Sequence, residues 1–156
     1  MVEAATIPAN VSIEDLRSGA DATSVTVTLT NAQVLGMYAA PVELLPAPDA
    51  NSMYQLTGAT LVNLNTGVAY ASGGVLIVQY GSTVHGAGTD ALSGTVAATF
   101  LTSPTATQVI TVGGNVTTTA GSATLGNGIY ISNQTGAFTS GTGTLQVLLN
   151  FVKIDT

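Results

Sequence analysis

The chain has 156 residues, enough for one domain with a sizeable core. Hydrophobic residues make up 46% but charged residues only 6%, against the ~25% usual for a globular chain, and two bases face eight acids for a formal net charge of -6. That balance speaks against nucleic acid, whose phosphates need clustered Lys and Arg, and against a polybasic membrane anchor; with no Cys, disulfide frameworks, Cys-based zinc sites and thiol catalysis are excluded.

The first 21 residues hold half of the charge: Glu3, Glu14, Asp15, Arg17 and Asp21. Met1-Val-Glu-Ala-Ala has neither a basic n-region nor a long apolar h-region, so the chain is expected to start in the cytoplasm of its host without a secretory signal. Ser12 to Arg17 fits one helical turn, with Ser12 as N-cap and Asp15 at N3. Pro8 and Gly19 punctuate the segment, and no long amphipathic pattern follows. Residues 1–23 read as an N-terminal arm, and residues 24–156 as the folded body.

From Ser24, strand signals dominate. Val25, Val27 and Leu29 alternate with Thr26, Thr28 and Thr30, the period-2 pattern of a half-buried strand. Val34–Tyr38 and Val42–Leu45 read as strands flanking Ala39-Ala40-Pro41. Pro46 and Pro48 then impose a rigid connection. Met53–Leu64 is a long strand with Gly58 as its expected bulge. Val75–Tyr80 is apolar at consecutive positions, as in a strand covered on both faces. Thr95–Leu101, Gln108–Val112, Gly128–Asn133 and Thr144–Ile154 complete the set. The last run is apolar at both parities, which fits either a doubly covered strand or one whose second face packs on a neighbouring subunit. About eight short strands and no helix-length periodic segment predict an all-β sandwich or barrel. No apolar run approaches the ~20 residues of a membrane-spanning helix.

Chemistry-bearing patterns are sparse. Ser82, His85 and Asp90 share one Gly-rich loop, but no Gly-x-Ser-x-Gly elbow surrounds any serine. Glu43 and Asp90 are the carboxylates to consider as a hydrolytic pair. Asp49 and Asn51 have calcium-type oxygens but lack the loop that would organise them. The tyrosines, Tyr38, Tyr54, Tyr70, Tyr80 and Tyr130, are scattered over separate strands or strand ends, and there is no Trp for a sugar platform. No catalytic, cofactor or metal residues are assigned, and the chain is expected not to be an enzyme. A surface of Thr, Ser, Asn and Gln in place of Lys and Glu suits a component of an assembly better than a soluble monomer.

Two stretches, Gly36-Met-Tyr-Ala-Ala-Pro-Val-Glu-Leu-Leu-Pro-Ala-Pro-Asp49 and Leu76-Ile-Val-Gln-Tyr-Gly-Ser82, resemble tailed-bacteriophage capsid decoration (cement) proteins. Phe100-Leu-Thr-Ser103, the run from Gly128 to Phe138 and the Thr144-Leu-Gln-Val147 tail are similar to the same family, with Asp49 in place of the Gly expected after Pro-Ala-Pro. The resemblance spans residues 33–154. It implies a jelly-roll-like antiparallel β-sandwich that sits, commonly as a homotrimer, on the outer surface of an icosahedral head and bridges major capsid protein subunits. The competing expectation is a tail or head-fibre module that binds host-surface glycan. Ile7, Val11, Ile13, Leu16 and Arg17 of the arm are the candidate partner-binding residues, since apolar anchors on an extended segment suit a partner's groove or sheet edge.

Overall fold

A computed structural model describes residues 22–65, 67–103, 107–115 and 121–156. The arm residues Ile7, Val11, Ile13, Leu16 and Arg17 lie outside the described residues.

Strand β1 (Ala22–Leu29) realises the Val/Thr alternation, and β2 (Val42–Leu45), β3 (Ser52–Asn65) and β5 (Leu76–Tyr80) follow the apolar runs. Short strands β4 (Ala71–Ser72) and β6 (Thr89–Asp90) lie between them. The chain continues through β7 (Gln108–Gly113), β8 (Ile129–Asn133), β9 (Phe138–Ser140) and β10 (Gly143–Asp155). Eight of these form two four-stranded antiparallel sheets, β1-β10-β3-β7 (sheet A) and β2-β8-β5-β6 (sheet B), while β4 pairs with β9. Most connections between these eight strands switch sheets, and the last strand lies between the first and the third. This is the jelly-roll order, so the protein is an all-β, jelly-roll sandwich.

The core fills the space between the sheets. Leu29, Leu61, Leu145, Val147 and Leu149 of sheet A face Val78, Tyr80, Ile129 and Ile131 of sheet B, all buried. Each fully buried Leu or Ile contributes roughly 1.5–3 kcal/mol. The bulge expected at Gly58 occurs one residue away: Asn150 pairs with Gly58 and Phe151 with Leu56, leaving Thr57 unpaired in the ladder. Its hydroxyl donates to the Asn150 carbonyl at 3.1 Å.

Two expected strands are helical. Val34–Tyr38 gives way to α1 (Asn31–Gly36). The cause is a capping box: Thr30 Oγ1 accepts from the Gln33 N–H and Gln33 Oε1 accepts from the Thr30 N–H, both before a strand can start. Val34 and Met37, three residues apart, turn into the core together. Thr95–Leu101 likewise contributes a single bridge, Val96 to Leu76, before α2 (Thr99–Thr102) buries the consecutive Phe100 and Leu101. Asn63, buried at the inner face of β3, donates its Nδ2 to the Phe100 carbonyl at 2.9 Å and fixes that helix. A further short helix, α3 (Gly121–Thr124), precedes β8. Replacing Thr30 with Ala removes the cap and should cost about 1 kcal/mol in urea unfolding, whereas a Thr30→Ser change should be close to neutral.

Candidate docking surfaces

The outer face of sheet B is covered by its own chain along the inner strand β5, while Glu43 and Asp90 on its edge strands are exposed. β5 is buried at all five positions. Leu76, Val78 and Tyr80 point into the core, whereas Ile77 and Gln79 point the other way, beneath the loop of residues 81–88. Gln79 holds that loop with both ends of its amide. Nε2 donates to the carbonyls of Gly81 (3.0 Å) and Thr83 (2.7 Å), and Oε1 accepts from Gly88 N–H at 3.1 Å. The Gly86 N–H donates to Ser132 Oγ at 3.1 Å, and that hydroxyl donates to the Met37 carbonyl at 2.9 Å. The loop lies so flat that a Cβ on Gly86 would meet Ile77 Cγ2 at 2.9 Å, and one on Gly88 the Gln79 amide at 2.6 Å. Glycine is needed at these two positions for close approach, and at Gly86 also for its φ of 61°.

The candidate chemical residues are distributed over this half of the molecule and its end. His85 adopts φ 62°, donates its N–H to the Tyr38 carbonyl at 2.8 Å and stacks its ring on Tyr38 with centroids 4.3 Å apart. Among the described residues no hydrogen bond joins Ser82, His85 and Asp90. Glu43, Tyr130, Gln79 and Asp90 form one cross-strand row in the order β2-β8-β5-β6. Three strand spacings separate Glu43 from Asp90, roughly 14 Å, beyond the ~5–9.5 Å over which paired carboxylates flank a glycosidic bond. Asp49 instead pairs with Lys153 Nζ at 3.2 Å, and the same ammonium reaches Asp155 at 3.3 Å. Ser52 Oγ donates to Asp155 Oδ1 at 2.6 Å. That hydrogen bond, with help from Lys153, holds the Asp155 carboxyl below its usual range. Among the described residues no group of three His, Asp or Glu side chains converges as metal ligands would.

Three tyrosine hydroxyls are hydrogen-bonded within the chain. Tyr80 donates to the Tyr54 carbonyl at 2.6 Å, and Tyr70 lies 2.9 Å from both Asn31 Oδ1 and the Gly143 carbonyl. Tyr130 donates to Glu43 at 2.8 Å. Burial raises the pKa of Tyr70 and Tyr80; for Tyr130 the hydrogen bond to Glu43 raises it most, then burial and the carboxylate charge. A phenol whose folded pKa is raised stabilises the fold fully below its unfolded value of ~10, and that contribution is lost as pH rises through the folded value. The melting temperature should therefore fall as pH passes about 10, in step with phenolate absorbance; an unchanged melting temperature through that range would contradict these contacts.

Sheet A presents a different outer surface. Residues paired across antiparallel strands share a face, so the register assigns it directly. From β10 it takes Thr144, Gln146, Leu148, Asn150, Val152 and Ile154. β3 adds Met53, Gln55, Thr60, Val62 and Leu64. β1 adds Ser24, Thr26 and Thr28, and β7 adds Val109 and Thr111. The Thr60 and Thr111 hydroxyls meet at 3.1 Å, and Gln146 Nε2 donates to Thr28 Oγ1 at 3.4 Å. These side chains are half-buried or exposed, with Val109 at 62% and Ile154 at 38% exposure. None is ionisable: the described charged side chains, Glu43, Asp49, Asp90, Lys153 and Asp155, all lie elsewhere. Composition had indicated an uncharged surface. The second apolar parity of β10 was its one local signal, and only the strand pairing shows that this parity joins three other strands in one continuous face.

No protein-family model matches the chain, and no curated protein matches it. Among solved structures the chain is similar to one described as "Capsid of Ralstonia phage GP4", with 19% sequence identity over 87% of this chain and 86% of that chain and a TM-score of 0.45.

Proposed function

We propose that the chain is a non-catalytic structural component of a phage virion, a decoration protein that binds the outer surface of the head and stabilises contacts between major capsid protein subunits. The observation that carries this reading is the body itself, a closed jelly-roll sandwich that holds its candidate carboxylates, Glu43 and Asp90, on opposite edge strands of sheet B. A docking protein needs a broad complementary surface on a scaffold that holds its shape, and bulk burial at such a surface works without tuned ionisable groups. The resemblance of residues 33–154 to capsid decoration proteins points the same way. Nucleic acid and membrane are not among the partners proposed.

Add-back to heads produced without the chain tests this. Purified protein should co-sediment with such heads in saturable amounts and raise the temperature at which they release DNA. Protein that stays in the supernatant and binds host-cell glycan instead, through a surface such as the exposed His85–Tyr38 stack, would favour a fibre module and reject the decoration role.

A further inference from the structure

We infer that the outer face of sheet A is a homotypic interface, the surface through which two copies of this chain associate; this rests on reading the chain as an assembly component. Three observations select a second copy as the occupant. The first is charge. Two copies of a protein with formal net charge -6 repel one another. Their approach is least opposed through a surface free of acids, and among the described residues this face bears none, whereas Glu43 and Asp90 lie on sheet B and Asp49 and Asp155 at the end of the sandwich. A face built for a basic partner would instead carry the acids.

The second is size. From strand lengths of 8, 13, 14 and 6 residues, with a rise of ~3.3 Å per residue and strands ~4.8 Å apart, the face projects roughly 650 Å². Its accessible area is larger than its projection, and approaches the ~800 Å² per partner of a standard stable interface. The third is chemistry. Leu148, Val152 and Val62 supply an apolar centre on the two inner strands, while Thr26, Thr28 and Thr111 on the flanking strands supply hydroxyls that both donate and accept. Hydroxyls on the two edge strands can each donate to and accept from a copy of the same face. Sheet B lacks such a face because Gln79 ties the 81–88 loop over β5 and the edge strands carry the exposed Glu43 and Asp90.

Light scattering and sedimentation of the full chain across a wide dilution series test this. The wild-type protein should have a mass that is a multiple of the protomer. Leu148→Lys, which buries an unpaired ammonium at the contact, should weaken association by ~100-fold or more. Thr60→Lys, at an outward and already polar position, should do the same and serves if the first variant fails to fold; circular dichroism checks both. Ser82→Lys, on the exposed loop over sheet B, should leave the mass unchanged. A wild-type chain that is monomeric throughout, or folded Leu148→Lys and Thr60→Lys variants that keep the oligomer, would overturn the inference. The add-back assay separates it from the virion role. A monomeric wild-type chain that still decorates heads rejects only the homotypic interface, and an oligomer broken by these lysines that never binds heads rejects only the decoration role.

Discussion

Replacing Gln79 with Leu should destabilise the protein by about 3–5 kcal/mol, because a buried amide that serves three backbone groups is replaced by a side chain that serves none. Gly81 and Thr83 would lose an amide donor to their carbonyls and Gly88 N–H its acceptor. Part of this cost should be recovered if the freed loop opens to water, so the 81–88 segment should also become more susceptible to proteolysis. Glu at the same position keeps the acceptor but loses both donors and places a carboxylate against the Gly81 and Thr83 carbonyls; it should be at least as damaging as Leu near neutral pH. Denaturant unfolding and limited proteolysis check both. A Gln79→Leu protein of wild-type stability would mean that the loop is not held from beneath.

Leu148 and Leu149 are adjacent in sequence and should respond very unequally to truncation. Leu149 is fully buried between the sheets, so Leu149→Ala leaves a cavity and should cost about 2–5 kcal/mol. Leu148 points outward and is half-buried, so Leu148→Ala should cost less than about 1 kcal/mol in dilute, dissociated protein. The penalty for Leu148→Ala should grow with protein concentration if its face is covered in the oligomer, since association stabilises only the folded form that associates. The comparison needs only urea midpoints at two concentrations. Equal costs for the two substitutions in the monomer would contradict the strand parity.

Much of the architecture was legible in period-2 patterns. Val25, Val27 and Leu29 marked β1 and its buried side, and Leu76-Ile77-Val78 marked a strand covered on both faces. What covers β5 was not legible, because a single Gln within an apolar run gives no hint that it bonds a loop up to nine residues further on. The α1 helix was missed although its signal was local: Thr30 and Gln33 have the spacing of a capping box, but the flanking β-branched and apolar residues read as strand. α2 was missed because all eight residues from Thr95 to Thr102 are apolar or Thr and fit either period. The docking face was half legible. Leu148, Val152 and Ile154 announced a second apolar parity on β10, yet the long-range pairings that set Val62 and Thr26 beside them depend on topology, which local pattern does not encode. The candidate residues of the arm fall outside the described residues.

The most direct test is a reconstruction of purified virions from particles made with the chain and without it. The account predicts density the size of the jelly-roll sandwich on the outer surface of the head in the first and its loss in the second, with copies in contact through the outer face of sheet A. Particles that lack the chain altogether, or that carry it only at the tail, would contradict it.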